Sequence, residues 1–221
     1  MQPLLGTPDA RNRKGQAIAT EMGYLWANLM RRGCGKDLMR IGFCSIGEGE
    51  GASATAANLA LFLGARGTRV VLVEASLRTP EMAEVFRTTA TPGLAECLRG
   101  SAPLPDVVRR QVAPGVDLVP AGETGDSFWA FCGGRFEAIV GDLASDLALC
   151  LAVLPPLTQA PEAGIAAASL DGVVLVVGAD RHRRDVVLRN VEFLRSIAPR
   201  FLGAILTDLA YPIPGPVARM L

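Results

Sequence analysis

Residues 45–60 read SIGEGEGASATAANLA and overlap the end of a mostly apolar run, 38–46. A glycine-rich segment, residues 47–51, separates this run from an alanine-rich stretch, 52–65, whose composition favours a helix. Glycines between a strand and a helix let backbone N–H groups surround an anion at the positive end of the helix. The sequence here therefore predicts a strand, a phosphate-binding turn and a helix.

Apolar runs and helix-like stretches alternate along the rest of the chain. Continuous apolar runs are typical of parallel strands that are covered on both faces. We predict strands at 38–46, 69–74, 116–119, 147–154, 172–177 and 201–206, and helices at 16–32, 52–65, 80–86, 93–98, 104–111 and 127–143. This alternation predicts a three-layer α/β/α fold around a mostly parallel sheet with right-handed crossovers.

The bulk composition suits one cytoplasmic domain. The length of 221 residues is compatible with a single core, so we predict one domain over 1–221, with a helical leader at 1–36 and a loose, proline-rich tail at 210–221. With 22 basic and 22 acidic residues, nothing favours nucleic acid as a partner. No apolar run reaches the roughly 18 residues of a membrane helix, which favours a cytoplasmic location.

The glycine-rich segment lacks the side chains of the phosphate-binding pattern GxxxxGK[ST]. In that pattern the lysine contacts the β- and γ-phosphates and the hydroxyl contacts magnesium. Aligned on Gly51, this chain has Ile46 for the first glycine, Ala52 for the lysine and Ser53 for the hydroxyl. Two interpretations remain open: the glycines only make a tight turn, or they still surround a nucleotide.

An ordered series of motifs resembles the bacterial tyrosine kinases (BY-kinases), within the ParA/MinD-like P-loop ATPases. Residues 45–60 are similar to the family's S-x-x-P-G-E-G-K-S-T-x-x-A-N-L-A, and VLVEASLRTP at 71–80 is similar to LLIDxDxRxP. Four further stretches follow in the family's order: TPGLAECLRG at 91–100, VDLVPAG at 116–122, LCLAVLPPL at 149–157 and GAILTDL at 203–209. The resemblance implies a P-loop NTPase fold.

The resemblance also implies a nucleotide site whose catalytic residues have changed. The residues at its nucleotide-binding positions are Gly49, Glu50, Gly51, Ala52, Ser53, Ala54 and Thr207, the last in place of an asparagine that meets adenine. Glu74, Ser76 and Val153 stand where the family has aspartates, and Arg78 matches the family's arginine. We therefore predict a vestigial site without catalytic residues or metal ligands, and ATP with magnesium remains the alternative.

From these changes we predict that the chain is not an enzyme. The resemblance implies a pseudokinase scaffold or regulator in exopolysaccharide or capsule biosynthesis that acts by protein–protein interaction. The alternatives are a weak nucleotide-binding sensor without efficient hydrolysis, a ParA/MinD-like positioning protein and an active enzyme with a rearranged site. Calorimetry with nucleotide separates the sensor from the scaffold.

The implied partner is the cytosolic part of a membrane polysaccharide co-polymerase, which would recruit the chain to the inner face of the membrane. A homo- or hetero-oligomer is also implied, although residues 21–29 (EMGYLWANL) lack both arginines of the family's E-x-x-R-x-x-R motif. Tyr211 stands alone where the family has a tyrosine cluster. Arginines on both sides of His182 form either a solvated face or a contact for an acidic partner.

Overall fold

A seven-stranded sheet with helices on both faces forms the protein, in a computed structural model that describes residues 13–37, 39–123, 128–145 and 148–208. The strands are β1 Arg40–Ser45, β2 Val70–Glu74, β3 Arg109–Ala113, β4 Val116–Val119, β5 Leu149–Val153, β6 Gly172–Gly178 and β7 Phe201–Thr207. The helices are α1 Arg13–Met30, α2 Ala52–Gly64, α3 Met82–Val85, α4 Leu94–Arg99, α5 Leu104–Val107, α6 Phe128–Phe131, α7 Arg135–Ser145, α8 Glu162–Ala168 and α9 Arg184–Ile197.

The sheet is parallel except at one edge. Its strand order is β3-β4-β2-β5-β1-β6-β7, and only the β3–β4 pair is antiparallel. This arrangement confirms the α/β fold with a mostly parallel sheet. Because β1 lies between β5 and β6, the segments that follow these three strands meet at one edge of the sheet, where parallel α/β folds bind ligands.

Alternate residues of the central strands enter two separate apolar clusters. Phe43 of β1 and Leu72 of β2 pack against α2 on one face, whereas Cys44 and Val73 face the helices of the other layer. Fully burying one Phe or Leu side chain contributes roughly 1.5–3 kcal/mol, so the two clusters supply most of the stability. Most residues of α2 are buried, and its alanines let the helix lie close to the sheet.

Two predicted helices are wrong in part. The helix predicted at 104–111 ends at Val107, and residues 109–113 (RRQVA) form the edge strand β3, held by bonds from Arg110 and from the N–H of Gln111 to Asp117. The prediction at 127–143 divides into α6 and α7, because Gly133 and Gly134 have φ angles of 100° and 77° that helices do not accept.

The predicted leader helix exists as α1, which ends before Gly33, a residue with a φ of 99°. Residues 1–12 of the leader lie outside the described part of the chain, as do Tyr211 and the rest of the predicted tail, 210–221. Among the described residues, no helix combines the length and the apolar character needed to cross a membrane.

Candidate nucleotide site

The glycine-rich loop, residues 47–51, makes the turn from β1 into α2. Gly49 and Gly51 have φ angles of 68° and 88°, in the left-handed region that side chains with a Cβ disfavour. Gly51 caps α2, and its carbonyl accepts the first helical hydrogen bond, from the N–H of Thr55 at 2.8 Å. The first N–H groups of a 13-residue helix therefore follow directly after the loop, as an anion site requires.

An open cavity of about 410 Å³ lies beside this loop. It is called the loop cavity below, and its lining comes from three places: the loop and first turn of α2, the segment after β2, and the segment after β5. Its lining residues are Ser45, Glu48, Gly49, Glu50, Gly51, Ala52, Ser53, Ala54, Ser76, Thr79, Glu81, Met82, Leu154 and Pro156. The structure thus brings together the predicted residues 49–54 and Ser76.

The carboxylate of Glu50 is held in place by hydrogen bonds within the protein. Its Oε1 accepts the N–H of Gly47 at 2.5 Å and lies 2.6 Å from Nε2 of His182, while its Oε2 accepts the N–H of Gly178 at 3.0 Å. The side chain is buried. The backbone carbonyl of Glu50 also accepts the hydroxyl of Thr207 at 2.7 Å, so both predicted residues serve to hold the loop.

Glu74, at the family's first aspartate position in the second motif, also bonds within the protein. Its Oε1 accepts the N–H groups of Glu81 at 2.5 Å and Met82 at 2.9 Å, and Oε2 accepts the N–H of Ala121 at 3.4 Å. Burial raises the pKa of Glu74 above its usual value, although these three bonds act against that effect. A carboxyl group bonded in this way supports the start of α3.

The remaining predicted residues lie around the cavity or away from it. Ser76 lines the cavity with its hydroxyl 3.5 Å from that of Thr79, whereas Nε of Arg78 binds the buried Glu162 at 3.1 Å. Val153 is buried in the sheet. Within the described ranges, no group of three or more His, Cys, Asp or Glu side chains is placed to hold a metal ion.

Sequence reasoning missed the contribution of Gly178, the last residue of β6, and of His182, which follows β6, whereas the loop that they hold follows β1. The only signal was the single histidine, which stands a few residues after the strand predicted at 172–177. It could not reveal the partner, because Glu50 is 132 positions away in the chain.

The ionisation of the buried Glu74 should be visible in how the free energy of unfolding changes with pH. Since its pKa is higher in the folded chain, its contribution is present below the unfolded pKa and is lost as pH rises through the folded value. Glu74→Gln keeps an oxygen for the N–H groups of Glu81 and Met82 without the buried charge. We expect this variant to gain stability relative to the wild type as the pH rises above the usual pKa of glutamate, measured by urea denaturation.

Glu74→Ala is the control for the hydrogen bonds themselves. It should lose about 1–3 kcal/mol at every pH, because the buried N–H groups are left without an acceptor. A pH profile identical for the wild type and Glu74→Gln would contradict the ionisation of a buried carboxyl at this position.

The chain is similar in sequence to bacterial kinases. It is 31% identical to the tyrosine-protein kinase CpsD of Streptococcus agalactiae over 177 residues, which cover 79% of this chain and 77% of that protein. It is 25% identical to the tyrosine-protein kinase YwqD of Bacillus subtilis, over 72% of this chain and 67% of the relative. No family model matches the chain.

Solved structures agree in fold. The kinase domain of Escherichia coli tyrosine kinase ETK aligns with a TM-score of 0.80 at 18% identity, over 87% of this chain and 78% of that chain. The VpsO kinase domain gives a TM-score of 0.76 at 25% identity, covering 88% and 96%. The cell division ATPase MinD of Pyrococcus furiosus gives 0.65 at 21% identity, covering 83% and 79%, which shows a shared fold alone.

These similarities overturn one prediction. The expectation that the chain is not an enzyme is wrong, because relatives that are 30–31% identical to it over 177 or 178 aligned residues are tyrosine-protein kinases. The substitutions at Ala52, Glu74 and Val153 describe how this chain differs from the motif pattern, and they do not remove it from a group of enzymes.

Proposed function

Because the chain belongs to the bacterial tyrosine-protein kinase family, we propose that it binds ATP in the loop cavity and transfers the terminal phosphoryl group to a tyrosine of a protein partner. The observation that carries this proposal is the open cavity beside the glycine-rich loop. Glu50, the loop's buried carboxylate, is held by Gly47, Gly178 and His182. The loop thereby keeps a conformation in which an anion can approach its backbone.

The polyphosphate of ATP suits the first turn of α2. The N–H groups there and the hydroxyl of Ser53 are donors beside the cavity, and the helix dipole favours negative charge at this end. Ser76 and Thr79 provide further hydroxyls in the lining of the cavity. These neutral donors bind phosphate oxygens without any contribution from a lysine.

The adenine would lie toward the end of β7. The hydroxyl of Thr207 donates its hydrogen to two backbone carbonyls. Its Oγ1 lies 2.7 Å from the carbonyl oxygen of Glu50 and 3.3 Å from the carbonyl oxygen of Val177. Its oxygen keeps acceptor capacity, which the exocyclic amine of adenine would match. Thr207 would therefore accept a hydrogen bond from the base while holding the loop.

The proposed transfer is slow. Phosphoryl transfer depends on charge stabilisation, and removing one such donor typically costs about 10²–10³ in rate. Ala52 supplies no ammonium group, Val153 supplies no carboxylate, and Glu74 is bonded to backbone N–H groups. These described residues do not fit a protein-bound magnesium ion, and we assign no step to one.

The biological setting comes from the family resemblance. We place the chain in capsule or exopolysaccharide assembly, where a membrane polysaccharide co-polymerase would be its partner and would recruit it to the inner face of the membrane. Tyr24 of α1 and Trp129 of α6, exposed at 66% and 72%, offer aromatic contacts for a protein partner. A ParA/MinD-like positioning role has no such observation in its favour.

ATP binding and phosphoryl transfer are tested on the same purified protein. We expect calorimetry to give a dissociation constant for ATP in the micromolar to millimolar range, with adenosine binding more weakly because it lacks the phosphates. Labelled phosphate should then appear on a tyrosine-containing polymer over hours. ATP at about 100 times its dissociation constant should stabilise the fold by roughly 2.7 kcal/mol.

Two results would decide between functions. Binding without any transfer would favour the nucleotide sensor, a candidate that the diverted carboxylate of Glu74 supports. No heat and no stabilisation with millimolar ATP would overturn the proposal of a nucleotide site altogether.

A further inference from the structure

The turn that leads from the last residue of β6 into α9, residues 178–183, is hydrogen-bonded to the glycine-rich loop, although no motif includes it. The N–H of Gly178 and the ring of His182 both bond to the carboxylate of Glu50, at 3.0 Å and 2.6 Å. Because this carboxylate is buried, the contact fixes the turn relative to the loop. Any side chain that the turn projects toward the loop is therefore held at a defined place.

Arg181 is such a side chain. Its Nη1 lies 3.5 Å from the position that a Cβ would occupy on Gly49, and Gly49 lines the loop cavity. The aliphatic part of the Arg181 side chain packs against Gly178, where an added Cβ would lie only 2.4 Å from Cδ of Arg181. Glycine at 178 thus leaves the space through which a guanidinium reaches the loop.

From this arrangement we propose that Arg181 contacts the polyphosphate of the bound nucleotide and supplies the positive charge that Ala52 does not. The inference rests on the proposed function, since it assumes that a nucleotide occupies the loop cavity. A guanidinium binds two phosphate oxygens at once through its planar pair of N–H groups. From beside Gly49 it would meet the phosphates next to the loop.

The present partner of Arg181 does not prevent this contact. Its Nη2 lies 3.3 Å from a carboxylate oxygen of Asp208, and the two side chains are exposed at 45% and 35%. Ion pairs this exposed contribute little to stability, so a phosphate can replace the carboxylate. Arg78 is less available, because its Nε binds the buried Glu162.

The test compares Arg181→Gln with Arg183→Gln, which removes the same charge two residues away. Arg183 is a suitable control because its side chain is 89% exposed and its Nε lies 3.5 Å from Asp185. We expect Arg181→Gln to weaken ATP binding about tenfold, as the loss of one charge-assisted contact does, and to leave adenosine binding unchanged. Arg183→Gln should bind both ligands as the wild type does.

A second pair of variants and a simpler probe complete the experiment. Arg181→Lys should recover part of the affinity for ATP, and Asp208→Asn should increase it by freeing the guanidinium. Tripolyphosphate alone should bind to the wild type and lose affinity in Arg181→Gln. If it binds in this way while ATP does not, the proposed nucleotide function fails and the Arg181 contact stands.

Three outcomes would overturn the role of Arg181. The first is equal ATP affinity in Arg181→Gln and the wild type, and the second is an equal loss in Arg183→Gln, which would indicate a general charge effect. The third is a parallel loss of adenosine binding, which would place Arg181 at the base. Absence of binding to both ATP and tripolyphosphate in the wild type would remove the proposed function and the inference together.

Discussion

Ala52→Lys is expected to tighten ATP binding by about ten- to a hundredfold, the range of one hydrogen bond to a charged group. Ala52 is the first residue of α2, lines the loop cavity and follows Gly51 directly. A lysine at this position would carry its ammonium group into the space where we place the β- and γ-phosphates. Binding should therefore respond strongly to a single substitution.

Ala52→Gln is the matched control for this variant. Glutamine has a long polar side chain that adds bulk in the cavity without charge, so it should leave ATP affinity close to that of the wild type. Calorimetry with ATP and adenosine measures both variants. If lysine and glutamine at 52 gave the same affinity for ATP, the loop would not hold the polyphosphate.

The rate of phosphoryl transfer should rise less than the affinity. A lysine restores one source of charge, whereas Val153 and Glu74 still provide no ligand for a metal ion. The lysine should also offset the loss in Arg181→Gln, because both side chains would act on the same phosphates. A double-mutant cycle measures this coupling, and strictly additive effects would show that the two cations act at separate places.

Local sequence patterns were sufficient for the central part of the fold. Residues 38–65 specify the strand, the loop and α2, because an apolar run, glycine conformations and the helix preference of alanine act over a few neighbours. The edge strand β3 was missed because its first three residues are polar and show no apolar–polar alternation, and because its support comes from Asp117 across a hairpin. The break between α6 and α7 had a signal in Gly133 and Gly134, which the helical pattern on either side concealed.

The candidate site was predictable as a set of positions, but its bonding was not. Sequence placed Glu50 in the loop and Glu74 at the end of β2, yet it gave no information on where their carboxylates point. Glu50 bonds to residues about 130 positions away, and Glu74 turns to the start of α3. Such pairings depend on the folded arrangement of distant segments, which residue type and spacing do not encode.

The mistaken prediction about enzymatic activity has a similar origin. It treated each missing side chain as a lost function, although charge can be supplied by a residue from another segment. Arg181 illustrates the point, since it follows β6 and lies beside the loop in space. A motif describes one solution to phosphate binding, whereas the fold permits others.

Glu50→Ala should destabilise the protein by roughly 3–5 kcal/mol, because it leaves the N–H groups of Gly47 and Gly178 without their acceptor. Both groups bond to this one carboxylate, and the side chain is only 1% exposed. For a chain of this size, such a loss lowers the melting temperature by roughly 10 °C. Urea denaturation gives the free energy of unfolding directly.

Glu48→Ala is the control on the same loop. Glu48 is exposed, so its loss should change stability by less than about 0.5 kcal/mol. Glu50→Gln should lie between the two variants, since an amide offers one acceptor oxygen to two N–H groups. This order of the three variants separates a buried hydrogen-bonding role from an effect of loop charge.

The same substitution should also impair nucleotide binding at temperatures where the variant is still folded. Glu50 joins the loop to the end of β6, to His182 and, through its carbonyl, to Thr207 of β7. Without the carboxylate the loop gains freedom, and ATP must order it again at the expense of affinity. Because His182 is the only histidine, its ring signals in NMR report whether the contact is lost. If Glu50→Ala bound ATP as the wild type does, with an unchanged histidine signal, the loop would be held by its glycines and by α2 alone.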